Sequence, residues 1–266
     1  MLNLQNSDFL SKEEIKSKAP SVFTSTAAQG VSEKYTHIPT SNVIEDMDLL
    51  GWKVVDAKEV KARKGIGFQK HLLVFRNEDV VINGADGDTV FPQILLTNSH
   101  DGKNSFTFTA GLFRMICENG LVVSTEQFED VKMRHLGYTF EELQEQIKGM
   151  VERLPLTVES MNKMKQIEMS QDAAIEFARK AVATRFNENE IENISVDINT
   201  LLIPTRKEDE GNDLWSVFNV VQEKILDGDF NYTFGVKVRK ARKIKNFSQD
   251  LKINKELFNL ALEYAN

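Results

Sequence analysis

The sequence predicts an α+β fold: an antiparallel sheet with short hairpins in the N-terminal half, packed against a mostly helical C-terminal half. Three observations carry this prediction. Between Trp52 and about residue 136, apolar residues recur in short runs, several with a period of two, broken by Gly, Asn and Asp. From Thr139 onward the period lengthens to three-and-four spacing. The strands also come as a block before the helices, which argues against a doubly wound parallel sheet. We divide the chain into a peripheral N-terminal arm, 1–36, and one α+β domain, 37–266. The domain has a β-rich part (37–137), a helical part (138–229), and a basic strand with a C-terminal helix (230–266).

In the arm, Ser11 and Glu14 form a capping-box pair that starts a short helix ended by Pro20. Asn42 caps the next helix, whose Val43, Ile44, Met47 and Leu50 share a face; Gly51 follows as its C′ residue. Trp52 to Arg63 and Phe68 to Arg76 read as a hairpin turning at Lys64–Gly67. Phe91 to Thr97 is a compact apolar run and a central strand, with Pro92 near its start. Asn98-Ser99-His100-Asp101-Gly102 is turn chemistry throughout. Phe106 and Phe108 alternate with Ser and Thr in another strand; Gly111 to Cys117 fits a short helix closed by Asn119-Gly120. Leu121 to Val123 and Val131 to His135 resume strand.

Thr139 and Glu142 form a capping box, and an apolar stripe then runs from Leu143 to Met164. Pro155 lies within it, so a kink or two helices is expected. Ser170 caps a helix reaching Phe186, and Asp213 caps one from Leu214 to Leu226, ended by Asp227-Gly228. Ile194 to Ile203 reads as strand or connector, and Phe230 to Val238 as strand. Asn254 is expected to cap the last helix, with Ile253 and Phe258 as its staple.

Composition sets bounds on function. The 266 residues are 41% hydrophobic and 27% charged, ordinary for a globular protein with a sizeable core. A formal charge of -7 argues against coating nucleic acid by bulk charge, though not against a local basic groove. A single cysteine excludes an internal disulfide and fits a reducing compartment. No run approaches membrane-span length, and the first residues lack signal-peptide character, so a cytoplasmic protein without membrane contact is expected.

Four groups of residues could carry chemistry. His71, His100, Asp101, Cys117 and His135 include metal-ligand types, but no spacing matches a metal signature. No cofactor is therefore predicted, while a divalent metal stays open. Arg114 lies four residues before Glu118, either as a helical ion pair or as an anion ligand. Together, His100, Asp101 and Arg114 would be the acid/base set of an enzyme. Trp215, Asn219, Gln222 and Glu223 make one helical stripe, suited to base stacking and hydrogen bonding or to a structural network. The last group is basic. Lys53, Lys58, Lys61, Arg63, Lys64 and Lys70 line the hairpin beside Trp52 and Phe68. Between Lys237 and Lys245, Lys237, Arg239, Lys240, Arg242, Lys243 and Lys245 are six cations with no acidic residue. If the two segments converge, they form a positive groove with aromatic platforms, which is what single-stranded nucleic acid requires.

At these residues the chain resembles the phage/plasmid-like protein family, a domain of unknown function of bacteriophages, plasmids and integrated elements. The matching pieces are Gly51, Lys70-His71-Leu72, Asn98 to Gly102 with His100 and Asp101, Gly111 to Arg114, Cys117, Asn119, Gly120, Arg134-His135, Asp213 to Trp215, Asn219, Gln222, Glu223 and Gly228. They follow the family's order across roughly residues 38–264. Glu118 and Asp229 depart from its pattern, where a Ser and a Gly are usual. The resemblance implies a protein of a mobile element in a bacterial host, and such elements' early genes handle DNA or block host defence. The leading expectation is nucleic-acid binding in phage or plasmid DNA metabolism, through single-stranded DNA binding or annealing in recombination by an oligomer. The alternatives are the enzyme using His100, Asp101 and Arg114, and an anti-defence protein that binds a host protein without chemistry.

Overall fold

The computed structural model describes residues 9–33, 35–62, 66–83, 89–114, 120–122, 131–133 and 139–266. Among these, one antiparallel sheet runs β1 (Lys53–Glu59), β2 (His71–Arg76), β4 (Thr89–Asn98), β5 (Phe106–Arg114), β6 (Gly120–Val122); β3 (Ile82–Asn83) pairs with β4 and β7 (Val131–Met133) with β5. β1 and β2 form the expected hairpin, and β4 is central, bonded to β2 on one side and β5 on the other.

The period of two sorts β2 and β4 into two buried faces. Leu73, Phe75, Ile94 and Leu96 look into the main core, joined by Phe106 and Phe108 of β5. Leu72, Val74 and Leu95 look the other way, onto Phe247 and Leu251 of α7 (Phe247–Ala265). Burial on both faces explains why β2 reads as a continuous apolar run.

Helices α3 (Phe140–Lys165), α4 (Gln171–Ala183), α6 (Leu214–Asp227) and α7 form the helical half, with the short α5 (Glu188–Ile191) after α4. Their starts obey the predicted capping chemistry: Thr139 with Glu142, Ser170, and Asp213 bonding the Ser216 amide. A second, three-stranded sheet is ordered β10-β9-β8, from β8 (Ile194–Val196), β9 (Asn231–Phe234) and β10 (Lys237–Lys240). Among the described residues, no helix is long and apolar enough to cross a membrane.

Several expectations are corrected. The helix proposed at Gly111 to Cys117 is strand as far as Arg114, because ladders with β4 and β6 extend β5; Cys117 and Asn119 lie outside the described residues. Of the kink or two helices expected at Pro155, two helices are excluded: α3 runs through the proline as one helix, with Leu154, Thr157 and Val158 buried around it. The last helix starts at Phe247 on Asn246, not at Asn254, which is buried mid-helix. α2 (Thr40–Leu49) starts two residues before Asn42. Phe230 to Val238 is a hairpin, turning at Gly235 (φ 59°), rather than one strand. In the segment read as a peripheral arm, α1 (Lys12–Lys18) and the 3-10 turn Pro20–Phe23 bury Ile15, Ala19 and Val22 in the main core.

Candidate nucleic-acid interface

The C-terminal cations form one structure, assembled from the end of α6 onward. Gly228 terminates α6 in the left-handed conformation (φ 72°). The chain returns through Phe230 and the β9–β10 hairpin and crosses back over the glycine. A Cβ at Gly228 would lie 2.5 Å from the Arg242 carbonyl carbon, so only glycine lets the linker 241–246 sit so close. Arg185, just beyond α4, pins the same linker by donating to the carbonyls of Ile225 and Arg242, and stacks over Phe230 at 5.5 Å. Burial pulls its guanidinium below the usual arginine range, opposed by nearby Tyr232.

The result is a groove of about 960 Å³, lined by Arg185, Phe186, Tyr232, Arg239 and the linker cations Arg242, Lys243 and Lys245, with Glu190 and Gln249 also on its wall. Two of its lysines meet carboxylates from the end of α6: Lys243 with Asp227 at 3.0 Å, and Lys240 with Asp229 at 3.9 Å. Asp229 also accepts from Lys224 at 2.8 Å, which lowers its pKa. Lys237, Arg242 and Lys245 have no carboxylate in ion-pairing range among the described residues. Register puts Phe234 opposite Lys237 and Tyr232 opposite Arg239, so these four share one sheet face. Arg239 lies 5.0 Å over the Phe234 ring, and Tyr232 meets Phe186 at 5.1 Å. The sequence reading missed Tyr232, Phe234 and Phe186. The signal was the alternation Asn231 to Phe234 facing Lys237 to Lys240 across Gly235, concealed by treating both strands as one.

The N-terminal cations do not all join this groove. Lys70 meets the segment that follows the groove's linker: its ammonium is 5.8 Å over the ring of Phe247, two residues beyond Lys245. Burial lowers its pKa, and neighbouring Lys255 pushes the same way. Lys61 is exposed just beyond β1, while Arg63 and Lys64 lie outside the described residues. Lys53 sits over Phe9 at 5.3 Å, at the opposite end of β1. Six strand steps of about 3.3 Å each separate it from Glu59, so it belongs to a different surface. The expected stacking platforms Trp52 and Trp215 are only 3% and 2% exposed, both inside the core, and present no face to a base.

The Asn98–Gly102 motif builds a sealed polar cluster at the other end of the β2–β4 ladder. His71 Nδ1 is 2.8 Å from Ser21 Oγ and 3.1 Å from the Gln69 carbonyl; Nε2 is 2.9 Å from Thr40 Oγ1. A carbonyl only accepts, so Nδ1 carries the proton. Nε2 then accepts from Thr40, whose oxygen accepts from Asn98 at 3.0 Å. Burial drives the His71 pKa down to about 4, keeping the ring neutral. The His100 ring lies between those of His71 (centroids 5.3 Å apart) and His37 (4.6 Å), tilted to both. The motif bonds outward through its backbone: His100 donates to Phe68 and accepts from Ala28, and Ser99 accepts from Tyr35. Asp101 accepts from Ser99 Oγ and the Lys103 amide, as a turn residue does.

The acid/base set therefore does not assemble. His100 is fully buried. The backbone of Arg114 pairs with Val90, eight residues down β4 from Asn98, about 26 Å away. His135 lies outside the described residues, as do Arg114's side-chain contacts. Among the described residues, no group of three His, Cys, Asp or Glu side chains is placed to hold a metal ion.

The α6 stripe is likewise internal. Asn219 donates to the Trp215 carbonyl at 2.6 Å; Gln222 donates to Asn254 at 2.7 Å, and Asn254 donates to Asp250. Glu223 pairs with Arg206 at 3.2 Å. These bonds join α6 to α7 and to the loop before α6.

The chain matches one family model and is similar to known proteins over most of its length. A family model described as a domain of unknown function, DUF932, matches residues 28–258, which spans both sheets, the helical half and the basic hairpin. The chain belongs to the DUF932 family. Two UPF0380 proteins of Escherichia coli (strain K12) are similar to it. YafZ is 30% identical over 258 residues and YfjQ 30% over 264, each match covering 95% of this chain and 90% of the relative. No solved structure matches the chain. The DUF932 match begins after α1 and ends within α7, so the groove and the three clustered histidines, His37, His71 and His100, fall inside it.

Proposed function

We propose that this DUF932 protein binds nucleic acid, in the single-stranded form, as part of the DNA metabolism of a mobile genetic element in the bacterial cytoplasm. One observation supports the reading above the rest. On a protein of net charge -7, six cations and no acid fall between Lys237 and Lys245, and five of them, from Arg239 to Lys245, line a groove beside Tyr232 and Phe186. Cations along a groove neutralise phosphates whatever the sequence, and aromatic faces take up bases that no longer pair. Phosphates would run along Lys237, Arg242 and Lys245. Bases would turn toward the face shared by Phe234, Tyr232 and Arg239.

The test is a mobility shift with an oligothymidine strand over a salt series. Binding is expected to weaken with a log–log slope of about -0.7 per phosphate contacted. Arg242→Glu with Lys245→Glu is expected to lower affinity at least tenfold and flatten that slope. Absence of binding at low salt, or binding indifferent to the double charge reversal, overturns the reading.

A further inference from the structure

The groove does not account for the tip of the β9–β10 hairpin. Val236 stands at the turn, 98% exposed, and Val238 is 72% exposed. Phe234 is exposed on the same hairpin, so the ribbon gathers several solvent-facing apolar side chains within five residues rather than one scattered singly, and such a cluster marks a contact surface. Its surroundings indicate which kind. Lys237, Arg239 and Lys240 follow it directly, and Phe234 precedes it on the same hairpin. Arg239 and Tyr232 already line the groove. The tip is three residues from Arg239, so it stands about 10 Å beyond the groove along the strand direction. That is the reach of two or three stacked base steps, at about 3.4 Å each.

We infer that the hairpin tip is a wedge that packs Val236 against the terminal base pair where a duplex opens into the single strand held by the groove. The protein then selects junctions over uniform single strand. This rests on the nucleic-acid reading above. The charge of the hairpin favours a polyanion, and the apolar tip adds what phosphate contacts cannot supply, a surface for an exposed base-pair face. Inside a duplex such a wedge must unstack a step, which costs the stacking of that step. At a duplex end one face of the terminal pair is already bare, so that cost is avoided. A uniform single strand offers the tip no pair to cap.

The experiment compares three DNA probes at one salt concentration: an oligothymidine strand, a blunt duplex, and a duplex with an oligothymidine tail and 2-aminopurine in its terminal pair. Wild-type protein is expected to bind the tailed duplex about tenfold more tightly than the strand, and to change the 2-aminopurine emission. Val236→Ser alters a fully exposed side chain and leaves every cation in place. It is expected to erase the preference and the emission change while holding single-strand affinity within twofold. Equal binding of strand and tailed duplex by the wild type overturns the wedge but leaves the groove standing. Loss of all binding overturns both. Anionic phosphatidylserine vesicles serve as the competing probe. Vesicle binding abolished by Val236→Ser, with junction preference intact, would assign the tip to a membrane surface and overturn the wedge.

Discussion

His71 shows how a single residue can be chemically equipped and still structural. Both ring nitrogens are engaged, by Ser21 and Gln69 on one side and Thr40 on the other, and the ring is fully buried. It thereby ties the 3-10 turn at Pro20–Phe23, helix α2 and strand β4 to β2. Its folded pKa of about 4 lies below the ordinary 6.5, so the unfolded chain binds the proton more readily. Stability from the neutral ring is complete above pH 6.5 and is lost as pH falls from there through 4. The difference corresponds to about 3 kcal/mol. Urea unfolding at pH 8, 6.5, 5 and 4 is expected to show this decline. His71→Gln should be less stable at pH 8, because buried Thr40 and Ser21 lose their partner, yet decline less steeply below 6.5. Parallel curves for the two proteins would remove His71 as the titrating group.

At the scale of elements, the α6 cap and the basic linker form one device. Gly228 closes α6 and leaves room for Arg242; Arg185 clamps that linker to the α6 carbonyl of Ile225. Gly228→Ala is expected to destabilise by about 1–3 kcal/mol in thermal melts, through the strained left-handed conformation and the displaced linker. It should also weaken oligothymidine binding, although residue 228 carries no charge itself. Arg185→Lys keeps the charge but cannot make the fork to two carbonyls, and should reproduce the binding loss with a smaller stability cost. Elements with a clean period and their own cap were legible in the sequence: α3, α4, α6 and the β1–β2 hairpin. Where tertiary pairing decided, sequence reasoning failed. The Leu112–Arg114 stretch has no helix-breaking residue, and only its ladders with β4 and β6 make it strand. Asn254 looks like a cap, yet its amide bonds Asp250 and Gln222 inside an interface that no local pattern reveals. The cationic half of the candidate site was visible as a charge run. Its aromatic half was not, because exposure rather than residue type separates Tyr232 and Phe234 from the buried Trp52 and Trp215.

Across the whole molecule, charge is segregated, and this makes the location of binding testable. The chain is acidic overall, yet Lys237 to Lys245 carries only positive charge. Lys70 extends this patch across Phe247 to the sheet, whereas Lys53 sits at the far end of β1 over Phe9. The length of β1 alone is about 20 Å, roughly twice the distance over which 0.1 M salt screens a charge. A lysine in the patch and one outside it should therefore behave differently under the same reversal. Lys245→Glu is expected to lower oligothymidine affinity several-fold and reduce the salt slope by about 0.7, the contribution of one single-strand phosphate. Lys70→Glu should do the same to a lesser degree, since its ammonium lies partly withdrawn over an aromatic ring. Lys53→Glu brings the same change of net charge and should leave both affinity and slope within twofold of wild type. Equal losses from Lys53→Glu and Lys245→Glu would mean that net charge, not the groove, governs binding. A loss confined to Lys245→Glu and Lys70→Glu would locate the strand along the groove and the start of α7.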